Sequence, residues 1–155
     1  MPAFVQKKII RFQHCDPAGL IFYPRVFELG GEVIEDWFIE WSGYTPHAYH
    51  AIEHLSLPTV KICCEFFDQV RLSDEITFTL VVNNVGRSSI ALSIEASRNN
   101  DLCFRINSNL VQVAKGADGR YRAHPFSDEV RQRLLGYMSA PSPSSGISEP
   151  SKNAG

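Results

Sequence analysis

A chain of 155 residues with 44% hydrophobic and 21% charged residues has the composition of an ordinary globular protein of about one domain. Its formal net charge of -2 leaves no broad basic field to attract a phosphate backbone, so nucleic acid is not an expected partner. No run of about 18 apolar residues occurs, and residues 1–8 carry no apolar leader, so neither a membrane span nor a signal peptide is expected and the expected location is the cytoplasm.

Residues 4–13 (FVQKKIIRFQ), rich in Phe, Val and Ile, read as a first strand that ends before the turn-forming sequence Asp16-Pro17-Ala18-Gly19. From Pro24 the period changes: Val26, Gly30, Val33, Trp37 and Trp41 fall three or four apart, with Phe27, Ile34 and Phe38 beside them, which predicts one long helix with an apolar stripe. Gly30-Gly31 interrupts that stripe. A glycine costs about 1 kcal/mol against alanine in a helix interior, so something must approach the helix closely there, either a packed sheet or a substrate.

The segment TPHAYHAIEH reads as a short second helix, with Thr45 as its cap and Pro46 at its first position. Strand-like runs follow at 57–70, 75–85, 88–97 and 102–115, with short breaks suited to antiparallel connections. In the second of them Ile76, Phe78, Leu80 and Val82 alternate with Thr77, Thr79 and Val81, so one face is deeply buried. The sequence SDEVRQRLLGYM, capped by Ser127, predicts a terminal helix. One long helix followed by a strand meander implies an α+β layer pair over residues 1–138, with 139–155 a flexible Ser, Pro and Gly-rich tail outside the fold.

Two features carry chemistry. Asp16 suits the first position of a type I turn, yet it also precedes a helix that opens Phe22-Tyr23-Pro24, in which no side-chain oxygen serves as a cap. Free N–H groups at the positive end of a helix dipole attract an anion or a developing oxyanion. A carboxylate just upstream can face the same spot, or supply the missing cap itself.

The stretch CDPAGLIFYP leading into a long helix resembles the 4-hydroxybenzoyl-CoA thioesterase family of hot-dog-fold proteins, with Asp16, Pro17, Ala18, Gly19, Tyr23 and Pro24 standing where the family motif has them. Weaker similarity runs through residues 57–96. The resemblance implies a central helix wrapped by an antiparallel sheet of about five strands, homodimers and tetramers built as dimers of dimers, and active sites at subunit interfaces. It implies Asp16 as the carboxylate that attacks the thioester or activates water, and the Tyr23 amide as the group that polarises the carbonyl. It further implies Gly19, Phe22, Phe27, Gly31, Glu32 and Thr59 around the acyl group, and Arg87, Ser88, Ser89, Lys115, Arg120 and Arg122 toward CoA. In the 4-hydroxybenzoyl-specific enzymes a helix carboxylate meets the ring hydroxyl; an ungapped reading puts Gly31 at that position, with Glu32 next to it.

A thiolate leaves readily, so one carboxylate suffices and neither cofactor nor metal is expected. The pattern His50-Ala-Ile-Glu53-His54 matches one class of zinc peptidase, but the segment is short and no third ligand stands out. Glu28, Glu32 and Glu35 share a helix face and read as a solvated or intersubunit surface. Cys15, Cys63, Cys64 and Cys103 lack paired spacing and are expected as reduced, at least partly buried thiols. A non-catalytic acyl-CoA or acyl-carrier binding module is the alternative to an acyl-CoA thioesterase, and CoA release from a thioester separates the two.

Overall fold

The structure, a computed structural model, describes residues 3–138; the expected tail, 139–155, lies outside the described residues. In chain order the elements are β1 (Phe4–Ile9), a single 3-10 turn (Phe12–His14), α1 (Tyr23–Ser42), α2 (Pro46–Glu53), β2 (Leu55–Ser56), β3 (Thr59–Phe66), β4 (Glu75–Val85), β5 (Ser89–Arg98), β6 (Asp101–Val111), β7 (Val113–Lys115), β8 (Tyr121–Ala123) and α3 (Asp128–Leu135). Five strands form one antiparallel sheet in the order β1-β4-β5-β6-β3, and β2, β7 and β8 form a small second sheet.

The core lies between α1 and one face of the large sheet. Val26, Leu29, Val33, Trp37, Phe38 and Trp41 project from the helix onto Ile76, Phe78, Leu80 and Val82 of β4, Leu92 and Ile94 of β5, and Phe104 and Ile106 of β6, all buried. Each such side chain stabilises the fold by about 1.5–3 kcal/mol on burial. The two glycines of α1 have different causes. A methyl group on Gly30 would stand 2.6 Å from Ile106 Cδ1, so a side chain there would have to displace the tip of Ile106 on the sheet; one on Gly31 would meet nothing within 4 Å.

Helix α1 ends at Gly43, whose left-handed φ of 74° lets its N–H reach Ile39 O. Helix α2 is capped as expected, Thr45 Oγ1 accepting from Ala48 N at 3.2 Å, and Ser127 Oγ caps α3 by accepting from Val130 N.

Three expected strands are shorter than their apolar runs. The first stops at Ile9, because Ile10 N turns to Asp74 O and the chain tightens into the 3-10 turn. The run 57–70 is trimmed at both ends to β3: Pro58 precedes the strand, and after Phe66 the chain leaves the ladder, Phe67 N and Asp68 N both donating to Cys103 O. The run 102–115 breaks at Gln112, whose amide donates to Ser88 O while its carbonyl accepts from His124 N. The side chain of Gln112 also accepts from the Tyr49 hydroxyl at 2.6 Å and donates to His124 O and Pro125 O, tying α2 to the loop before α3. The four cysteines are free as expected, but Cys63 is exposed rather than partly buried, because it points away from the core on an edge strand; its neighbour Cys64 points inward, where burial pushes its thiol up to about 11.

Strand β3 is the feature that looks unfinished. It is an edge of the large sheet, and every residue in it except Cys64 is exposed, including Val60 at 60%, Ile62 at 40% and Phe66 at 50%. An unpaired apolar edge of this kind is a template for another strand.

Candidate active site

Asp16 opens a tight hairpin. Gly19 N donates to Asp16 O at 3.0 Å, completing the expected turn, and Gly19 takes a left-handed φ of 77° that favours glycine. One carboxylate oxygen, Oδ1, accepts from Ala18 N at 2.9 Å and Leu20 N at 3.1 Å; the described residues give Oδ2 no hydrogen-bond donor. Asp16 therefore forms the turn and still holds one oxygen in reserve. It does not cap α1: the residue at the cap is Phe22, in extended conformation and with no side-chain hydrogen bond.

The hairpin returns through a bridge between Cys15 and Ile21, and Phe22 N donates to His14 O at 2.8 Å. Tyr23 then begins the helix with an amide that has no acceptor among the described residues, and Pro24 removes the next donor altogether. The first free N–H of a twenty-residue helix is thus isolated at its positive end. Tyr23 lines a cavity of about 530 Å³ with Leu20, Ile21, Phe66, Phe67 and Val70. Asp16 is not among its lining residues; the carboxylate and the amide stand on the two arms of one hairpin.

Residues that sequence patterns did not reveal hold this hairpin in place. Ile21 N donates to Val70 O and Leu72 N to Gly19 O, so the site rests on the loop between β3 and β4. That loop is clamped by Arg98 of β5, which donates to Asp74 Oδ2 at 2.7 Å, Gln69 O at 2.8 Å and Asp68 Oδ2 at 3.1 Å. His14 Nδ1 accepts from Arg11 N at 2.9 Å, which fixes the turn just before Asp16 and requires that nitrogen unprotonated. Burial lowers the pKa of His14, favouring that state. Burial raises the pKa of the Cys15 thiol, with the Asp16 charge adding to it, which disfavours its thiolate form.

Burial alone would raise the pKa of Asp74, but the Arg71 amide and the Arg98 guanidinium outweigh it and hold the carboxyl below the ordinary carboxylate range. The unfolded chain then takes up this proton at higher pH than the folded one, so the stabilisation is complete above the ordinary pKa of about 3.9 and is lost as pH falls through the folded value. Asp74→Asn is expected to melt below the wild type at neutral pH, with the gap closing as the pH is lowered past 4. Thermal melts from pH 7 to 3 read this out, and a gap independent of pH would contradict it.

The remaining expected residues fall into separate places. Phe22 is exposed and packs edge-on against Tyr23, and Phe27 is half-buried beside the helix stripe. Gly31 lines a second cavity of about 230 Å³ with Ile34, Phe38, Tyr49, Leu57 and Thr59. Glu32 turns away from it, pairing with Lys8 at 3.0 Å, and Glu28 pairs with Arg25. His50 Nδ1 lies 3.0 Å from Ser56 Oγ, and no cluster of three metal-ligating side chains occurs among the described residues.

Arg87, Ser88 and Ser89 occupy the β4–β5 turn, and Lys115, Arg120 and Arg122 the β7–β8 hairpin, with Arg122 paired to Asp118. These two basic groups neighbour each other, since Gln112 N reaches Ser88 O three residues before Lys115. They lie at the opposite end of the sheet from Tyr23. β6 runs from Asp101 at one end to Val111, opposite Ser89, at the other, a separation of roughly 30 Å at about 3.3 Å per residue.

This is the hot-dog fold, and solved structures share it. The dynemicin thioesterase, whose crystal structures describe polyene binding, superposes with a TM-score of 0.79 at 15% identity over 89% of this chain and 99% of its own. The 4-hydroxybenzoyl-CoA thioesterase of Pseudomonas sp. strain CBS-3 gives 0.76 at 18% identity over 84% and 98%. A hypothetical protein of Staphylococcus aureus in complex with CoA gives 0.78 at 11% identity over 98% and 96%. No family model matches the chain, and no curated protein matches it in sequence. At these identities the likeness establishes the shared architecture.

Proposed function

We propose that this chain is an acyl-CoA thioesterase in which Asp16 supplies the reacting carboxylate and the Tyr23 amide receives the oxyanion. The observation that carries the reading is the pairing of an unsatisfied carboxylate oxygen with an unsatisfied helix-terminal N–H on one hairpin, in a fold shared with named thioesterases. Asp16 Oδ2 either adds to the thioester carbonyl or takes a proton from an attacking water. Both routes place negative charge on the former carbonyl oxygen, and a preorganised amide at a helix start stabilises it. The C–S bond then breaks toward CoA thiolate, which with a free-thiol pKa near 8.5 needs no dedicated acid; by the first route the acyl group stays on Asp16 as a mixed anhydride that water then hydrolyses, and by the second it leaves as the free acid while Asp16 passes the water's proton to the thiolate or to solvent.

The basic residues proposed for CoA lie too far from Tyr23 to serve it within one chain, and a second copy resolves this. Two β3 edges pairing antiparallel about a two-fold axis set the Thr59 end of one strand beside the Phe66 end of the other. Centred on Cys63, such a pairing puts Lys61 opposite the partner's Glu65 and Val60 opposite the partner's Phe66, matching charge with charge and apolar with apolar. It also carries Arg87, Lys115 and Arg120 toward the partner's Tyr23. The active species is then a dimer, further assembled as a tetramer, working in the cytoplasm on an aromatic or short-chain acyl-CoA.

A panel of benzoyl-, hydroxybenzoyl- and short aliphatic CoA thioesters, followed by release of free CoA thiol, tests this reading. Turnover of one or more of them is the expected result. Binding of CoA thioesters with no release from any would identify a binding module instead.

A further inference from the structure

His14 bonds to both arms of the hairpin that holds Asp16 and Tyr23. On the first arm its ring Nδ1 accepts from Arg11 N at 2.9 Å and its amide donates to Arg11 O at 2.9 Å, closing the 3-10 turn two residues before Asp16. On the second its carbonyl accepts from Phe22 N at 2.8 Å, and Phe22 O in turn accepts from Arg25 N to start α1. His14 itself lines a separate cavity of about 250 Å³ with Gln13, Arg25, Glu28, Leu29 and Glu32, apart from the one at Tyr23. An Nδ1 that accepts leaves the neutral ring's proton on Nε2, so a second proton has only Nδ1 to bind. There it would replace the Arg11 bond with two N–H groups facing each other. The surrounding charges offer the resulting cation little: Arg11 and Arg25 repel it, Glu28 is paired with Arg25, and Glu32 is paired with Lys8 of β1. Burial and the two arginines together outweigh the pull of Glu32 and Glu28 and hold the ring below the ordinary imidazole value.

We propose that His14 is a positioning residue: its neutral ring keeps the arms bearing Asp16 and Tyr23 in register, and protonation at Nδ1 releases them. Resting on the thioesterase reading, this adds a pH switch to turnover. The chain with the hairpin open takes up the proton at higher pH than the chain with it closed. Order is therefore complete above the ordinary imidazole value of about 6.5 and is lost as pH falls through the lower value of the closed form. Turnover follows that order, since a misplacement of reacting groups by about 1 Å costs on the order of 10²-fold.

His14→Asn and His14→Phe separate the two properties of the ring. Asparagine places Oδ1 where Nδ1 stands and accepts from Arg11 N at every pH, whereas phenylalanine keeps the bulk and offers no acceptor. Both are compared with the wild type on the thioester panel from about pH 8 to about pH 5.5, a range that brackets imidazole titration. The expected result is that His14→Asn has a kcat near the wild-type value at the upper end and keeps it on acidification, where the wild type declines. His14→Phe should lose kcat by about 10–100-fold throughout, with little change in KM. Amide exchange, corrected for intrinsic rates, should show Arg11 and Phe22 losing protection together as the wild type is acidified and keeping it in His14→Asn. An acid limb that is the same in the wild type and His14→Asn, or full kcat in His14→Phe, would overturn the proposal. Should the wild type release CoA from no thioester, the thioesterase reading itself fails and amide exchange alone decides the role of His14: joint loss at Arg11 and Phe22 upholds it, and protection indifferent to pH overturns it.

Discussion

Replacing Asp16 by asparagine is expected to lower kcat by about 10²–10⁴-fold, the usual contribution of a positioned acid or base, while leaving the loop intact. The amide oxygen of asparagine still accepts from Ala18 N and Leu20 N, the two bonds that fold the turn. What it loses is the charge and basicity of the second oxygen. Asp16→Ala removes the turn bonds as well, so it should show the same loss of kcat together with a lower melting temperature. KM and CoA binding should change little in the asparagine variant. If Asp16→Asn keeps wild-type turnover, the aspartate is a turn residue and nothing more.

Tyr23→Pro is expected to lower kcat by about 10²–10³-fold relative to Tyr23→Ala, since proline deletes the N–H proposed to receive the oxyanion. Position 23 tolerates proline on structural grounds. It is the first residue of the helix, where the amide has no helical acceptor, and Phe22 before it already holds φ -80° and ψ 119°, the extended conformation that precedes proline. Comparison with alanine cancels the loss of the phenol ring and its contact with Phe22. Circular dichroism melts confirm the helix in both variants. Equal kcat in the two would remove the amide from the mechanism.

How much of this was readable beforehand depends on the range of the interactions involved. The period-2 alternation in β4, the stripe of α1 and the caps at Thr45 and Ser127 are local patterns, and each produced the expected element. The turn at Asp16 and the uncapped helix start were legible for the same reason, being set by neighbours within four residues. The sheet of β2, β7 and β8 was not, because strands of two or three residues carry no measurable period and exist only through pairing. The clamp of Arg98 on Asp74 spans 24 residues of sequence, and neither residue stands out locally.

Position in the fold also separated residues that sequence had grouped. Gly30 and Gly31 look alike in the chain, yet a rotation of about 100° per residue sends one into Ile106 and the other toward open space. Glu28, Glu32 and Glu35 share a face by spacing, but the first two are tied up by Arg25 and Lys8 while Glu35 lines the cavity at Gly31. Trp37 and Trp41, on the stripe of α1, are buried in the core with their rings tilted against each other. The distance between the basic turn at Arg87 and the helix start at Tyr23 follows from strand order, which no local pattern encodes.

The most direct test is a crystal structure of Asp16→Asn with an uncleaved acyl-CoA bound. The account predicts the thioester oxygen within hydrogen-bond distance of the Tyr23 amide and the side chain at position 16 against the carbonyl carbon. A thioester lodged elsewhere, with the Tyr23 amide facing only solvent, would contradict it.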